Sequence, residues 1–235
     1  MNFDFRAELN GLAGKIERNP LLELLAFEVG APVTEESITD AEARFGAPLP
    51  APLRRLYRSL GSATLRWRFK PDLDEQTRGR LTEEFAEAVT RHNLSAEAGA
   101  IGIVPLEDML FNEEYTPLQI ESEGEFDFDG TVYSDNEFCG MLRHFDTIND
   151  FFAMSFVVQP GRADWKMMFL GHYWIEYDHS RVTYLEDYLR YVIATWGLVN
   201  ARDELFSEHR GDRREPLRYD SGVAAARIPA ILLTR

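Results

Sequence analysis

Residues 180–197, SRVTYLEDYLRYVIATWG, carry the clearest helical pattern in the chain, and they close its patterned region. Leu185, Tyr188, Leu189, Val192, Ile193 and Trp196 recur at helical spacing and form one continuous apolar face. Thr183 and Glu186 fit a capping box, and Gly197 is a stop signal. A face this wide has to be buried against another layer. The segments before it read as that layer. TLRWRFK (64–70) alternates strictly, with Leu65, Trp67 and Phe69 on one side and Thr64, Arg66, Arg68 and Lys70 on the other. Strand patterns recur in GAIGI, TPLQIES, EFDF, TVYS, the MSFVV region and WKMMFLGH. FDTIND reads as a short helical piece ahead of MSFVV.

Three helical patterns precede the strands. NPLLELLAFEVG (19–30) predicts a helix, with Asn19 as cap, Pro20 at the first helical position and Gly30 as stop. PVTEESITDAEARFG follows, capped by Thr34 or Ser37, acidic in its first turn and ended by Gly46. APLPAPLRRLYRSLG places Leu53, Leu56, Tyr57 and Leu60 on one face. Helices first, antiparallel strands next and a long helix last, with no βαβ alternation, predict an α+β fold: N-terminal helices, a central mainly antiparallel β-sheet, and a long C-terminal helix packed on it. The expected organisation is one domain over residues 1–199, with a charged helical insertion at about 71–98. Leu81, Phe85 and Val89 form a thin apolar stripe in that insertion. A charged extension over 200–235 is expected to be peripheral or partly disordered, with IPAILL near its end able to dock.

With 45% hydrophobic and 12% aromatic residues the chain can build a real core. Its formal charge of −15 disfavours nucleic acid as a partner, because phosphate affinity comes from Lys and Arg. The same charge suits the steering of a basic protein, although it also serves plain solubility. One cysteine, Cys139, excludes an internal disulfide and a cysteine-rich zinc site. The opening MNFDFRAELNGLAGK is not a secretory signal, and no run approaches membrane-span length, so a cytoplasmic protein is expected.

The stretch EFDFDG (125–130) admits three readings. Glu125, Asp127, Asp129 and Gly130 mimic the start of a calcium loop, but Asn136 stands where a bidentate Glu is needed and the flanks alternate like strands. Paired catalytic carboxylates need environments that separate their pKa values, and one solvated strand face supplies none. The third reading is one acidic edge of a surface meant for a basic partner, carried on a hairpin. Asp129-Gly130 makes the turn, Phe126 and Phe128 face the core, and the acids face out. With the neighbouring YSDNE, this brings Glu121, Glu123, Glu125, Asp127, Asp129, Asp135 and Glu137 into one sheet region, with Tyr115 and Tyr133 close in sequence. Acids there would steer a partner and an aromatic would anchor it. An ordinary solvated sheet face explains the same pattern. Glu113, Glu114, Trp174 and Glu176 are further candidates for such a surface.

Other chemistry is thinly represented. His172, Asp178 and His179 could ligate a metal, though their spacing matches no ligand pattern and a polar turn explains them. Cys139 and His144 could form a nucleophile pair, but a buried bystander thiol is the simpler reading. No P-loop, dinucleotide fingerprint or nucleophile elbow is present.

Three stretches together resemble the SUKH superfamily. ITDAEARFGAPLPAPLRRLYRSLGSATLRW is similar to its N-terminal signature, IGIVPLEDM to the stretch after its insertion region, and FFAMSFVV with WKMMFLGHYWIEYDHSRVTYLEDYLRYVIATWG to its C-terminal half. The resemblance covers roughly residues 34–198. It rests on order and spacing, because no single motif is diagnostic. It implies a single α+β domain whose sheet engages a partner, with no catalytic residues and no cofactor. Bacterial members of the family are commonly immunity proteins that bind and neutralise a polymorphic toxin, often a nuclease. Fungal members help regulate cell-wall assembly. The expected function is therefore toxin neutralisation by stoichiometric occlusion, with a regulatory interaction module in a signalling or cell-envelope pathway as the alternative. The expected partner-binding residues are Glu121, Glu123, Glu125, Asp127, Asp129, Tyr133, Asp135, Glu137, Trp174 and Glu176. The expected partner is a basic toxin domain, and exposed strand edges also allow a homodimer.

Overall fold

The computed structural model describes residues 3–84, 98–115, 124–148, 152–159, 161–171, 181–207 and 215–233. Seven strands form one antiparallel sheet: β1 (Leu22–Val29), β2 (Ala63–Phe69), β3 (Gly99–Ile103), β6 (Leu142–Thr147), β7 (Phe152–Val157), β8 (Lys166–Gly171) and β9 (Val182–Thr183), in that spatial order. Between β3 and β6 the chain leaves the sheet to build a separate hairpin, β4 (Glu125–Phe128) and β5 (Thr131–Ser134). The helices are α1 (Phe5–Arg18), α2 (Glu35–Phe45), α3 (Ala51–Tyr57), α4 (Glu75–Glu84), α5 (Leu106–Phe111), α6 (Asp135–Met141), α7 (Leu185–Ala194), α8 (Val199–Ser207), α9 (Ser221–Ala225) and α10 (Ala230–Leu233). The α+β class is as the sequence indicates.

Strand alternation assigns the two faces of the sheet. Leu65 and Trp67 of β2, Ile101 and Ile103 of β3, Phe156 of β7 and Met167 and Phe169 of β8 point to one face, into the large core. Helix α7 buries Leu185, Tyr188, Leu189, Tyr191 and Val192 there. Helices α1 and α3 contribute Phe5, Leu9, Leu12, Ile16, Leu53, Leu56 and Tyr57 to the same core. The opposite face, at the β6–β8 end, carries a second, smaller core of Leu142, Val157, Met168, Leu170 and Val182. Phe128 of the hairpin and Phe138, Cys139 and Met141 of α6 close over it.

Several local readings hold. Thr34 Oγ1 accepts from Ser37 N at 3.1 Å and caps α2. Leu81 of the insertion is buried, whereas Phe85 and Val89 lie outside the described residues. Others need correction. Residues 19–30 are not a helix. Asn19 ends α1, its Oδ1 accepts from Leu21 N at 3.0 Å, and β1 then pairs with β2 from Leu22↔Phe69 to Val29↔Ala63. The local signals of residues 19–30 favour a helix, and long-range pairing with β2 overrides them. Phe145–Thr147, expected as helix, belongs to strand β6. Thr183 does not cap α7: it sits in β9 and donates Oγ1 to Leu217 O at 2.8 Å, while Tyr184 occupies the cap position without a side-chain bond. The strand expected in TPLQIES lies outside the described residues except at its flanks.

Residues beyond 200 were expected at the periphery. Helix α8 instead inserts Ala201, Leu205 and Phe206 into the large core. Arg202 is fully buried: its Nη1 donates to Asp146 Oδ2 at 2.8 Å and its Nη2 to Gly197 O at 3.0 Å. Tyr188 OH donates to the same Asp146 oxygen at 2.5 Å, and Gly102 N donates to the other at 2.6 Å. Burial, then the neighbouring Asp146 charge, pushes the Tyr188 pKa well above the ordinary phenol value. Further on, Leu217 bridges β9, Tyr191 OH donates to Arg218 O at 2.9 Å, and Ile231 and Leu232 are buried. Among the described residues no helix is long and apolar enough to cross a membrane.

Candidate interaction surface on the β4–β5 hairpin

EFDFDG is a hairpin. Glu125↔Ser134, Phe126↔Tyr133, Asp127↔Val132 and Phe128↔Thr131 pair across it. Asp129 (φ 55°) and Gly130 (φ 75°) both take positive φ, as a two-residue turn with primed geometry requires. Asp127 Oδ1 accepts from Gly130 N at 2.9 Å and fastens the turn. The flanking strands remove the helix–loop–helix setting of a calcium loop.

The hairpin is pinned from below. The Phe128 ring lies 5.4 Å from that of Phe138 on α6. Lys166, on the second face of β8, donates Nζ to Asp129 Oδ2 at 2.6 Å and sits 5.8 Å from the Phe128 ring. The two charged side chains are only 14% and 19% exposed, so screening by water is partial. Asp129 is therefore paired with Lys166 inside the chain. No pattern in ADWKMMF announces Lys166 as a counter-ion.

Three more of the expected partner-binding residues also make contacts within the fold. Asp135 and Glu137 lie in the first turn of helix α6, not in a strand. Ser134 caps this helix, and the Glu137 carboxylate accepts from Ser134 N at 2.9 Å and Ser134 Oγ at 2.8 Å. Those bonds, the backbone one first, lower the Glu137 pKa. The motif S-D-N-E at 134–137 is a capping box and was legible as one. Asp135 N donates to Gly124 O at 3.1 Å, which ties the helix start to the hairpin entry. Tyr133 sits on the opposite face of the hairpin from Glu125 and Asp127. Its ring contacts Phe138 at 6.3 Å and its hydroxyl accepts from Gln159 Nε2 at 3.3 Å.

Glu125 and Asp127 are what the outer face presents, both exposed, with no ion pair to a described cation. Val132 stands directly across from Asp127 and is 59% exposed, the most exposed of the large hydrophobic residues among the described ones. Glu113 and Glu114 are exposed in a separate 3-10 turn, and Tyr115 is half-buried beside the large core. Glu121, Glu123, Trp174 and Glu176 lie outside the described residues, as do His172, Asp178 and His179. Among the described residues no group of three or more His, Cys, Asp or Glu side chains is arranged to hold a metal ion.

Cys139 is fully buried in the smaller core. His144 Nδ1 lies 2.6 Å from Ser155 Oγ, across the β6–β7 ladder. Burial pushes the His144 pKa down to about 4, so the ring is neutral at pH 7. Ser155 is fully buried, which puts its hydroxyl out of reach of a substrate in this conformation. The pair satisfies polar groups inside the sheet.

Compared with known proteins, the chain matches no family model, no curated protein and no solved structure.

Proposed function

We propose that the chain is a binding protein of the SUKH immunity type, which occludes a basic toxin domain by stoichiometric association and carries out no chemistry of its own. One observation carries the choice of surface. The hairpin is fixed by Phe128, the Asp129–Lys166 pair and the α6 capping box, and it holds Glu125 and Asp127 outward around the exposed Val132. A fastened turn with two exposed carboxylates that meet no cation among the described residues, beside an apolar side chain, suits a partner bearing Lys or Arg around an apolar contact. The chain's charge of −15 would steer such a partner.

The order of elements supports the family reading. The first resembling stretch spans α2, α3 and β2, the second β3 and the start of α5, and the third β7, β8, β9 and α7. All three lie on one sheet and the helices packed against it. A growth assay tests the function. Affinity capture from the source organism identifies a partner, which is then expressed alone and together with this chain. An immunity protein requires a partner that is toxic alone and tolerated in the pair. A captured partner harmless alone moves the assignment to a regulatory module.

A further inference from the structure

A second site, independent of the hairpin, lies at the end of the sheet where β6 begins. Arg143 is the second residue of β6, and Trp165 directly precedes β8. Phe156, paired with Arg143 across the strands, packs its ring 5.9 Å from that of Trp165. Phe45, the last residue of α2, packs 5.8 Å from Trp165 and lies 5.9 Å beneath the Arg143 guanidinium. The four side chains thus form one closed cluster.

Two N–H donors in that cluster have no acceptor. Arg143 Nε and Trp165 Nε1 are both buried and neither is hydrogen-bonded to the protein. Buried donors are paired in the great majority of cases, so two beside one ring need an explanation. Arg143 also carries a charge. Its Nη1 donates to Gly140 O at 2.8 Å and Leu142 O at 2.7 Å, which satisfies carbonyls at the end of α6. No ion pair joins it to a described carboxylate. The nearby Arg44 is engaged with Glu107 at 2.9 Å, and its guanidinium lies 3.6 Å over the Phe111 ring, itself 6.2 Å from Phe45. A half-buried cation without a counter-ion among the described residues is unfavourable.

A guanidinium has two edges for bidentate binding. With Nη1 committed to the helix, the Nε–Nη2 edge remains. We propose that this edge, with the Trp165 indole N–H as second donor, binds a small oxyanion of carboxylate or phosphate type. Phe45 and Arg143 are only half-buried, so this side of the cluster borders solvent.

The full chain, labelled with nitrogen-15, tests this through the Trp165 indole resonance, assigned with Trp165→Phe. Sodium acetate and sodium phosphate are titrated separately, with sodium chloride as the ionic-strength control. Expected is a saturable downfield shift with acetate, phosphate or both, weakened about tenfold or more in Arg143→Met and not reproduced by chloride. The anion that saturates first defines the class. No saturable shift up to about 50 mM in the wild-type chain, or an equal shift in Arg143→Met, overturns the proposal. The wild-type titration decides even if the variant does not fold, and the Trp67 and Trp196 resonances report folding. Glu125→Lys leaves the shift unchanged, which separates this site from the hairpin surface.

Discussion

Asp146 of β6 and Arg202 of α8 form a fully buried ion pair at 2.8 Å, which ties the segment beyond residue 200 to the centre of the sheet. Arg202→Ala leaves Asp146 charged in the core with, among the described residues, Tyr188 and Gly102 as donors. The expected loss is about 3–5 kcal/mol in urea unfolding. The double change Asp146→Asn with Arg202→Met recovers much of it, since no unpaired charge remains. A loss under about 1 kcal/mol for Arg202→Ala would make the pair incidental.

His144 makes stability depend on pH in a defined window. Its folded pKa of about 4 is below the unfolded value of 6.5. Between these values the unfolded chain takes up a proton that the folded chain does not. Stability therefore falls as pH drops from 6.5 toward 4 and changes no further from this group below that, a total of about 3 kcal/mol. Chemical unfolding of wild type and His144→Gln at pH 7 and pH 4.5 measures the difference. A slope equal in both proteins would assign it to other groups.

Gly99 approaches the Trp67 indole so closely that a Cβ at this position would lie 2.1 Å from Nε1. That indole donates to Trp196 O at 2.8 Å, where the chain turns out of α7 through Trp196 (φ 57°) and Gly197 (φ 67°). Gly99→Ala displaces the ring and strains this turn, with an expected loss of about 1–3 kcal/mol in thermal or chemical unfolding. Unchanged stability would mean that the sheet and the turn are not coupled through Trp67.

Removing the Lys166 charge loosens the hairpin while the sheet stays intact. Lys166→Met leaves Asp129 without its partner, and hydrogen exchange of the β4–β5 amides should speed up by about tenfold relative to β6–β8. Uniform protection across both sheets would show that Phe128 alone holds the hairpin down.

Patterns with a local cause were legible in the sequence. Asp129-Gly130 needs two positive φ values, Thr34 is a good cap, and TLRWRF alternates; each fixes its own geometry. The misread segments take their state from distant partners. LELLAF becomes a strand because TLRWRF lies beside it, and Thr183 bonds Leu217 instead of capping a helix. At the candidate surface the acidic character of the stretch was legible and its division of labour was not. Asp129 answers Lys166, 37 residues away, and Glu137 answers Ser134. Only folding separates those acids from Glu125 and Asp127.

The most direct test of the central claim is the binding of the captured partner to wild type and to Glu125→Lys/Asp127→Lys, by calorimetry at low and at moderate salt. The account predicts at least a hundredfold weaker binding by the reversed variant at low salt, a wild-type affinity that falls as salt rises, and unchanged unfolding of the free chain. Equal affinities for both proteins at low salt would contradict it.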